Sequence, residues 1–153
     1  MLNKKKLINY FFEGIKPINK MKIGVEHEKF ILNKDTLKPI KYDEKKGIRD
    51  IFYDLLNLGW KPITEGKSEI LIALKRDAEF ITLEPGGQIE LSGAQLDNLH
   101  QTCNETGNHL NELKTLSEKY NFILLGIGVE PNLSVDEFPW MPKDRYSIMK
   151  NYM

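Results

Sequence analysis

The sequence predicts an α+β fold with a largely antiparallel sheet. Segments with helical spacing and segments with strand character follow one another in mixed order, and no internal repeat, low-complexity tract or linker divides the chain. Its 153 residues, 41% of them apolar, are enough for one domain with a real core. We therefore expect residues 1–153 to belong to a single folded unit.

The composition excludes several classes of protein. The 22 Lys and Arg residues balance 22 Asp and Glu residues, which removes the electrostatic argument for a nucleic-acid partner. A single cysteine cannot form an internal disulfide or a multi-cysteine metal site. No apolar run approaches the roughly 20 residues of a membrane helix, and the N-terminus lacks the features of a signal peptide. The sequence therefore predicts a soluble, cytoplasmic protein with no membrane partner.

Helices are predicted from apolar spacing of three and four residues and from start and stop signals. They are expected over residues 1–12, 46–60, from the 92–95 segment to about 120, and from 143 onward. Ser92 and Gln95 have capping-box spacing, which predicts the start of the third helix. On that helix we expect Cys103 to be a small buried side chain and His100 and His109 to be solvated or capping groups.

The predicted C-terminal helix has apolar residues at Tyr146, Met149 and Met153, and it reaches the end of the sequence without Gly, Pro or a basic last turn. A frayed tail is one interpretation of such a helix. The other interpretation is that the chain is the front part of a longer protein.

Strands are predicted where β-favouring residues cluster between turn signals. They are expected over residues 21–32, 70–74, 79–83 and 122–129. The last run is apolar with two glycines, a pattern typical of a strand covered on both faces. Alternation over residues 88–92 adds a further extended segment, in which Gln88, Glu90 and Ser92 share one face.

Two glutamates in the first predicted strand are candidate metal ligands. Glu26 and Glu28 are two residues apart, so their side chains share a strand face with Cα atoms about 6.6 Å apart. Neighbouring carboxylates repel each other unless a cation lies between them, and Mg²⁺ prefers such oxygen ligands. A solvated face with two exposed glutamates explains this segment equally well. His27 points away from both glutamates and is expected to pack.

A second candidate segment, residues 83–93, contains Glu84 and Glu90 on either side of a Pro-Gly-Gly break. The break predicts a turn or bulge, and its glycines allow a ligand to approach the main chain closely. An ordinary hairpin turn explains this segment slightly better when it is considered alone. Together with Glu26 and Glu28, however, its carboxylates suit a cleft that binds Mg²⁺ and a nucleotide for phosphoryl transfer.

With these segments the chain resembles the plant and proteobacterial type of glutamate–cysteine ligase. The resembling stretches are residues 23–30, 83–88, 90–93, 99–103, 141–143, 145–146, 148–149 and 151–153. Their order and spacing cover nearly the whole chain, while the stretch from 67 to 79 is looser. Members of that family are much longer, so the resemblance is to their N-terminal part.

The resemblance implies a catalytic fold like that of glutamine synthetase, a funnel-shaped antiparallel sheet with outer helices, here incomplete. It implies an ATP-dependent ligase that joins L-glutamate and L-cysteine through a γ-glutamyl phosphate, the first step of glutathione biosynthesis. Glu26, Glu28, Glu84 and Glu90 would be Mg²⁺ ligands, and Gln88, Arg145 and Tyr146 would contact nucleotide or substrate. No catalytic side chain is assigned.

Two alternatives stay open: a non-catalytic module that binds Mg-nucleotide, and a ligase that joins glutamate to another amine. We expect the isolated 153-residue chain to be inactive under each of these interpretations.

Overall fold

The computed structural model describes residues 2–152. Met1 and Met153 therefore lie outside the described residues, and with them the last apolar position predicted for the C-terminal helix. The helices are α1 (Lys4–Glu13), α2 (Ile48–Leu56), α3 (Leu99–Tyr120) and α4 (Asp144–Tyr152). The strands are β1 (Glu26–Asn33), β2 (Lys61–Thr64), β3 (Leu71–Arg76), β4 (Glu79–Glu84), β5 (Gln88–Ser92) and β6 (Phe122–Leu125).

The strands form one open, six-stranded sheet in the order β2-β3-β4-β5-β1-β6. Every neighbouring pair is antiparallel, which confirms the predicted α+β class and strand direction. A short 3₁₀ turn, Pro85–Gly87, connects β4 to β5. Gly86 has a φ of 81° in this turn, and a Cβ atom there would lie 2.6 Å from the Phe138 ring, so the turn requires glycine at this position.

The hydrophobic core lies between one face of the sheet and the helices α2 and α3, which also contact each other. The strands contribute alternate residues to that face, as the period of two requires. Fully buried members from the strands are Ile31, Leu74, Ile81, Leu83, Ile89 and Leu91. Ile48, Ile51, Phe52 and Leu55 of α2 complete the layer. Burying a side chain of this kind typically stabilises a fold by about 1.5–3 kcal/mol.

The third helix differs from its prediction in start and in orientation. It begins at Leu99 with Asn98 as its cap, because a backbone bridge between Ile23 and Leu96 keeps the preceding segment extended. The capping-box prediction at Ser92 and Gln95 is therefore wrong. The expectation for Cys103 is also wrong, since this residue is exposed. The buried residues of the helix are Thr102, His109, Leu113, Leu116 and Tyr120.

The sheet edges also differ from the sequence prediction. β6 ends at Leu125 and pairs only with β1, so it is an edge strand. Only Phe122 of its four residues is buried, so the strand is not covered on both faces. Gly126 and Gly128 follow it and offer no side chain to pack. The opposite edge strand, β2, was not predicted, because Lys61 and Pro62 are poor strand formers.

The opening helix α1 ends at Glu13, one residue beyond its predicted end, with Gly14 as its cap, and none of its residues is buried. Among the helices of residues 2–152, none combines the length and apolar character that crossing a membrane requires.

A candidate acidic site on the open face of the sheet

Strand register brings the predicted acidic residues to one face of three adjacent strands. Glu28 of β1 lies directly opposite Glu90 of β5, and Thr82 of β4 lies opposite Glu90 on its other side. Directly opposite residues in an antiparallel pair share a face. By the same alternation Glu26 and Glu84 also point to this face, which is opposite to the one covered by α2 and α3. We call these four side chains, Glu26, Glu28, Glu84 and Glu90, the acidic face.

The carboxylates of the acidic face influence one another. Partial desolvation raises the pKa of Glu28 above its ordinary value, and the negative charges of Glu90, Glu84 and Glu26 raise it further. Each of these three carboxylates is thus near enough to Glu28 to repel its charge. Such repulsion is the electrostatic condition under which a hard divalent cation is favoured.

Two hydroxyl groups hold the carboxylate of Glu90 in place. Ser92 Oγ donates to Glu90 Oε1 at 2.5 Å, and Thr82 Oγ1 donates to Glu90 Oε2 at 3.1 Å. Glu90 is 8% exposed, whereas Glu26 and Glu28 are exposed. Ser92 was predicted to share this strand face, while the part of Thr82 depends on the pairing of β4 with β5, which sequence spacing does not give.

The other end of the acidic face is neutralised by residues at the start of α4. Tyr146 Oη is 2.7 Å from Glu84 Oε2, and Arg145 Nη2 donates to both Glu84 oxygens at 3.3 and 3.4 Å. Lys143 Nζ lies 3.6 Å from Glu84 Oε1. Arg145 also donates to Tyr146 Oη at 2.9 Å, which orients the phenol.

The sequence predicted that Arg145 and Tyr146 contact nucleotide or substrate. In the structure, both side chains contact Glu84. Tyr146 is buried, and burial raises the pKa of its phenol. Arg145 keeps 61% of its side chain exposed while it contacts Glu84. Lys143, with a side chain only 9% exposed, was missed as a site residue; its position as the first residue of a predicted helix was the available signal.

Gln88 is buried on the same strand face, opposite Glu84 of β4 and Phe30 of β1. Its Nε2 donates to the carbonyl oxygen of Ile127 at 3.2 Å. The amide therefore ties the segment after β6 to the centre of the sheet.

The acidic face is not a closed metal cluster. Within residues 2–152, no three carboxylate, imidazole or thiol groups come close enough together to hold a metal ion. The carboxylates offer an opposed pair, Glu28 and Glu90, with Glu26 one pleat away and Glu84 held by its cationic partners. A groove of about 700 Å³ lies elsewhere, lined by residues of the 38–44 and 133–140 segments and by none of the four glutamates.

Behind the acidic face, a polar pair is buried between β1 and α3. Lys29 is 1% exposed, and its Nζ donates to the carbonyl oxygen of His27 at 2.8 Å and lies 3.0 Å from His109 Nε2. His109 is fully buried, so the expectation that it would be solvated or capping is wrong. Burial, followed by the Lys29 charge, lowers the pKa of His109 to about 3. His100 is exposed, as expected.

Comparison with known proteins gives one consistent result. A sequence model of the family described as glutamate-cysteine ligase family 2 matches residues 22–153. The chain is 47% identical over 153 residues to glutamate–cysteine ligase A, chloroplastic, of Oryza sativa subsp. japonica, which covers 99% of this chain and 30% of that protein. It is 44% identical over 156 residues to the chloroplastic glutamate–cysteine ligase of Arabidopsis thaliana, covering 99% of this chain and 28% of the relative. The chain thus spans about 30% of the length of the curated relatives it matches.

The names of these relatives correct one expectation from the sequence. The proteins from rice, Arabidopsis thaliana and Solanum lycopersicum are all described as chloroplastic. This points to a plastid rather than the cytoplasm, so the cytoplasmic prediction is wrong. Composition carries no information that separates these two compartments.

Proposed function

The chain belongs to glutamate–cysteine ligase family 2, and we propose that it is the N-terminal part of the single catalytic domain of an ATP-dependent ligase. The complete protein joins L-glutamate to L-cysteine and so begins glutathione biosynthesis. The observation that carries this proposal is the identity of 47% over 99% of the chain to a protein named as this ligase. The gathering of Glu26, Glu28, Glu84 and Glu90 on one sheet face supports it.

The proposed reaction has two steps. An oxygen of the γ-carboxylate of glutamate attacks the γ-phosphorus of ATP, which releases ADP and leaves a γ-glutamyl phosphate. The amine of cysteine then attacks the acyl carbon, phosphate leaves with the electron pair of the broken bond, and the nitrogen loses a proton. Positioning and charge neutralisation supply most of the catalysis in phosphoryl transfer.

We propose that the acidic face holds Mg²⁺. The donor set fits, because carboxylate oxygens are the ligands that Mg²⁺ prefers and because Glu28 is repelled by the three other carboxylates. Bound Mg²⁺ would neutralise the charge of the triphosphate and of the phosphoryl group in transfer. In this chain, Thr82 and Ser92 orient Glu90 for that role through their hydroxyl groups.

The remaining assigned side chains have roles suited to anions. Arg145 is the most exposed cation next to the acidic face, so its guanidinium can turn from Glu84 to a phosphate or a substrate carboxylate. Tyr146 contacts the same carboxylate and would remain with Glu84. The amide of Gln88 would meet nucleotide or substrate at the centre of the face, once the segment after β6 releases it.

The surface of the chain supports the proposal that it is part of a larger catalytic fold like that of glutamine synthetase. The sheet is open, with β6 at one edge, and α2 and α3 cover only one of its faces. Tyr10, Phe11 and Phe12 of α1 are 74%, 73% and 67% exposed, and Tyr152 of α4 is 94% exposed. We propose that the rest of the ligase covers these side chains, which makes the isolated chain inactive and prone to aggregate at its edges.

The test is an assay of the full-length protein with Mg-ATP, glutamate and cysteine, in which ADP and the peptide product are measured together. We expect ADP release that depends on both amino acids and a product with the mass of γ-glutamylcysteine. Binding of Mg-ATP without turnover would instead identify a non-catalytic module. Turnover only with an amine other than cysteine would identify a related ligase.

A further inference from the structure

A buried ammonium group lies directly behind the acidic face without a carboxylate partner of its own. Lys29 is 1% exposed, and its Nζ contacts two neutral acceptors, the His27 carbonyl oxygen at 2.8 Å and His109 Nε2 at 3.0 Å. No salt bridge of Lys29 occurs among residues 2–152. Burying an unpaired charge costs several kcal/mol, so this position calls for a compensating interaction.

The acidic face provides that compensation through the thickness of the sheet. Lys29 follows Glu28 in β1, so the two side chains leave the strand on opposite faces, and Glu90 lies opposite Glu28 on the neighbouring strand. Burial lowers the pKa of Lys29 to about 8, and the charge of Glu90 opposes this by raising it. Because Lys29 and Glu28 are neighbours in β1 and Glu90 lies opposite Glu28, only the thickness of one sheet separates the ammonium group from the carboxylates, a distance over which unit charges act on each other in a protein.

His109 makes this arrangement possible. Because Lys29 can only donate, His109 Nε2 must accept, and the imidazole is neutral with its proton on Nδ1. A neutral imidazole at this place holds the ammonium without cancelling its charge. An aspartate or glutamate in its place would pair with Lys29 and remove the field that reaches the acidic face.

We propose that Lys29 is a positioning residue that serves as a built-in counter-charge for the acidic face. Its charge offsets the mutual repulsion of Glu28 and Glu90 in the cation-free protein, and the same charge weakens the attraction of that face for a divalent cation. The inference rests on the proposed function in one respect, the binding of a divalent cation to the acidic face. If Lys29 only filled space, its replacement would change stability but would not strengthen cation binding.

The test compares full-length wild-type protein with Lys29→Met, which keeps the length of the side chain and removes its charge. Lys119→Met is the matched control, because Lys119 of α3 is exposed and paired with Asp54. After chelator treatment, the dissociation constant for Mn²⁺, used as the probe cation, is measured by calorimetry. We expect Lys29→Met to bind Mn²⁺ about tenfold more tightly, on the scale of one unit charge acting on a divalent ion at a high effective dielectric constant, and Lys119→Met to match the wild type.

An unchanged or weakened affinity of Lys29→Met for Mn²⁺ would overturn the inference while leaving the proposed function intact. Failure of the wild type to bind Mn²⁺ would overturn the metal assignment of the proposed function and the cation half of the inference together. The stability arm does not depend on the metal: in the cation-free protein, Glu90→Gln should raise the melting temperature more in Lys29→Met than in the wild type, because the counter-charge no longer offsets the repulsion there.

If Lys29→Met fails to fold without a cation, the double variant Lys29→Met/Glu90→Gln decides the question. The double variant lacks the counter-charge, but it also lacks one of the two carboxylates whose repulsion the counter-charge offsets. We therefore expect the double variant to fold and to melt above the single variant. A double variant no more stable than Lys29→Met would show that Lys29 acts through packing and would overturn the inference.

Discussion

The two ends of the acidic face differ in how their charge is balanced. At one end, Arg145 and Lys143 neutralise Glu84 on its own side of the sheet, and Tyr146 donates a hydrogen bond to it. At the other end, Glu28 is exposed and repelled by its neighbours, and its pKa is raised. The four carboxylates of the acidic face are therefore not equivalent ligands. A metal cation can approach Glu28 without displacing another cation, whereas at Glu84 it must displace Arg145 or Lys143.

The largest effect is expected from the open end. Glu28→Gln keeps the shape of the side chain but removes a charged ligand, and we expect the rate of γ-glutamylcysteine formation in the full-length protein to fall by roughly 10²–10³-fold, the scale of losing one electrostatic stabiliser. Glu118→Gln, an exposed position on α3, is the control and should retain the wild-type rate. Undiminished turnover in Glu28→Gln would show that the open end takes no part in the chemistry.

The second effect tests the neutralised end. Tyr146→Phe removes the buried hydroxyl that bridges Glu84 and the carbonyl oxygen of Leu83, while Lys143 and Arg145 still contact these acceptors. We expect a loss of about 0.5–1.5 kcal/mol in the free energy of unfolding, the net contribution of one hydrogen bond, measured with urea. Tyr152→Phe, at a position 94% exposed, should change nothing measurable. Equal stability of the two variants would mean that the phenol does not hold Glu84.

A smaller effect is expected from removing the exposed cation. Arg145→Met makes the Glu84 end resemble the Glu28 end, and because the guanidinium is 61% exposed we expect the free energy of unfolding to change by less than about 1 kcal/mol. Affinity for Mn²⁺ should nevertheless rise, since a competing positive charge is lost. A fall in Mn²⁺ affinity would show that Arg145 supports cation binding instead of opposing it.

The smallest effect concerns pH. The pKa of Glu28 is raised in the folded protein, so the folded state binds the proton more tightly and loses stability as pH rises through the range just above the ordinary glutamate pKa. Glu28→Gln removes this penalty, so its melting temperature should exceed that of the wild type increasingly as pH rises through that range. Added Mg²⁺ should reduce the difference. Parallel melting curves at every pH would rule out repulsion at this position.

The same comparison shows what the sequence could predict. A period of two was enough to place Glu26 with Glu28 and Gln88 with Glu90 on shared strand faces. The period of two does not give the register between strands. The sequence therefore could not predict that Glu28 lies opposite Glu90 or that Thr82 contacts Glu90.

Residues that depend on distant contacts were missed for the same reason. Lys143 and His109 acquire their partners, Glu84 and Lys29, across 59 and 80 positions of the chain respectively. The face of α3 was misjudged because Leu96 and Cys103 fit helical spacing, while the bridge from Ile23 to Leu96 keeps the first of them outside the helix. Apolar spacing predicts the buried face of a helix correctly only when the ends of the helix are known, and here a tertiary contact sets where the helix begins.

The most direct test of the central claim is an anomalous-difference map from crystals of the full-length protein grown with Mn²⁺ and ADP. We predict an Mn²⁺ peak in contact with carboxylate oxygens of both Glu28 and Glu90 on the open face of the sheet. Ordered Mn²⁺ bound with the nucleotide elsewhere in the protein, with no peak at these two glutamates, would contradict the account.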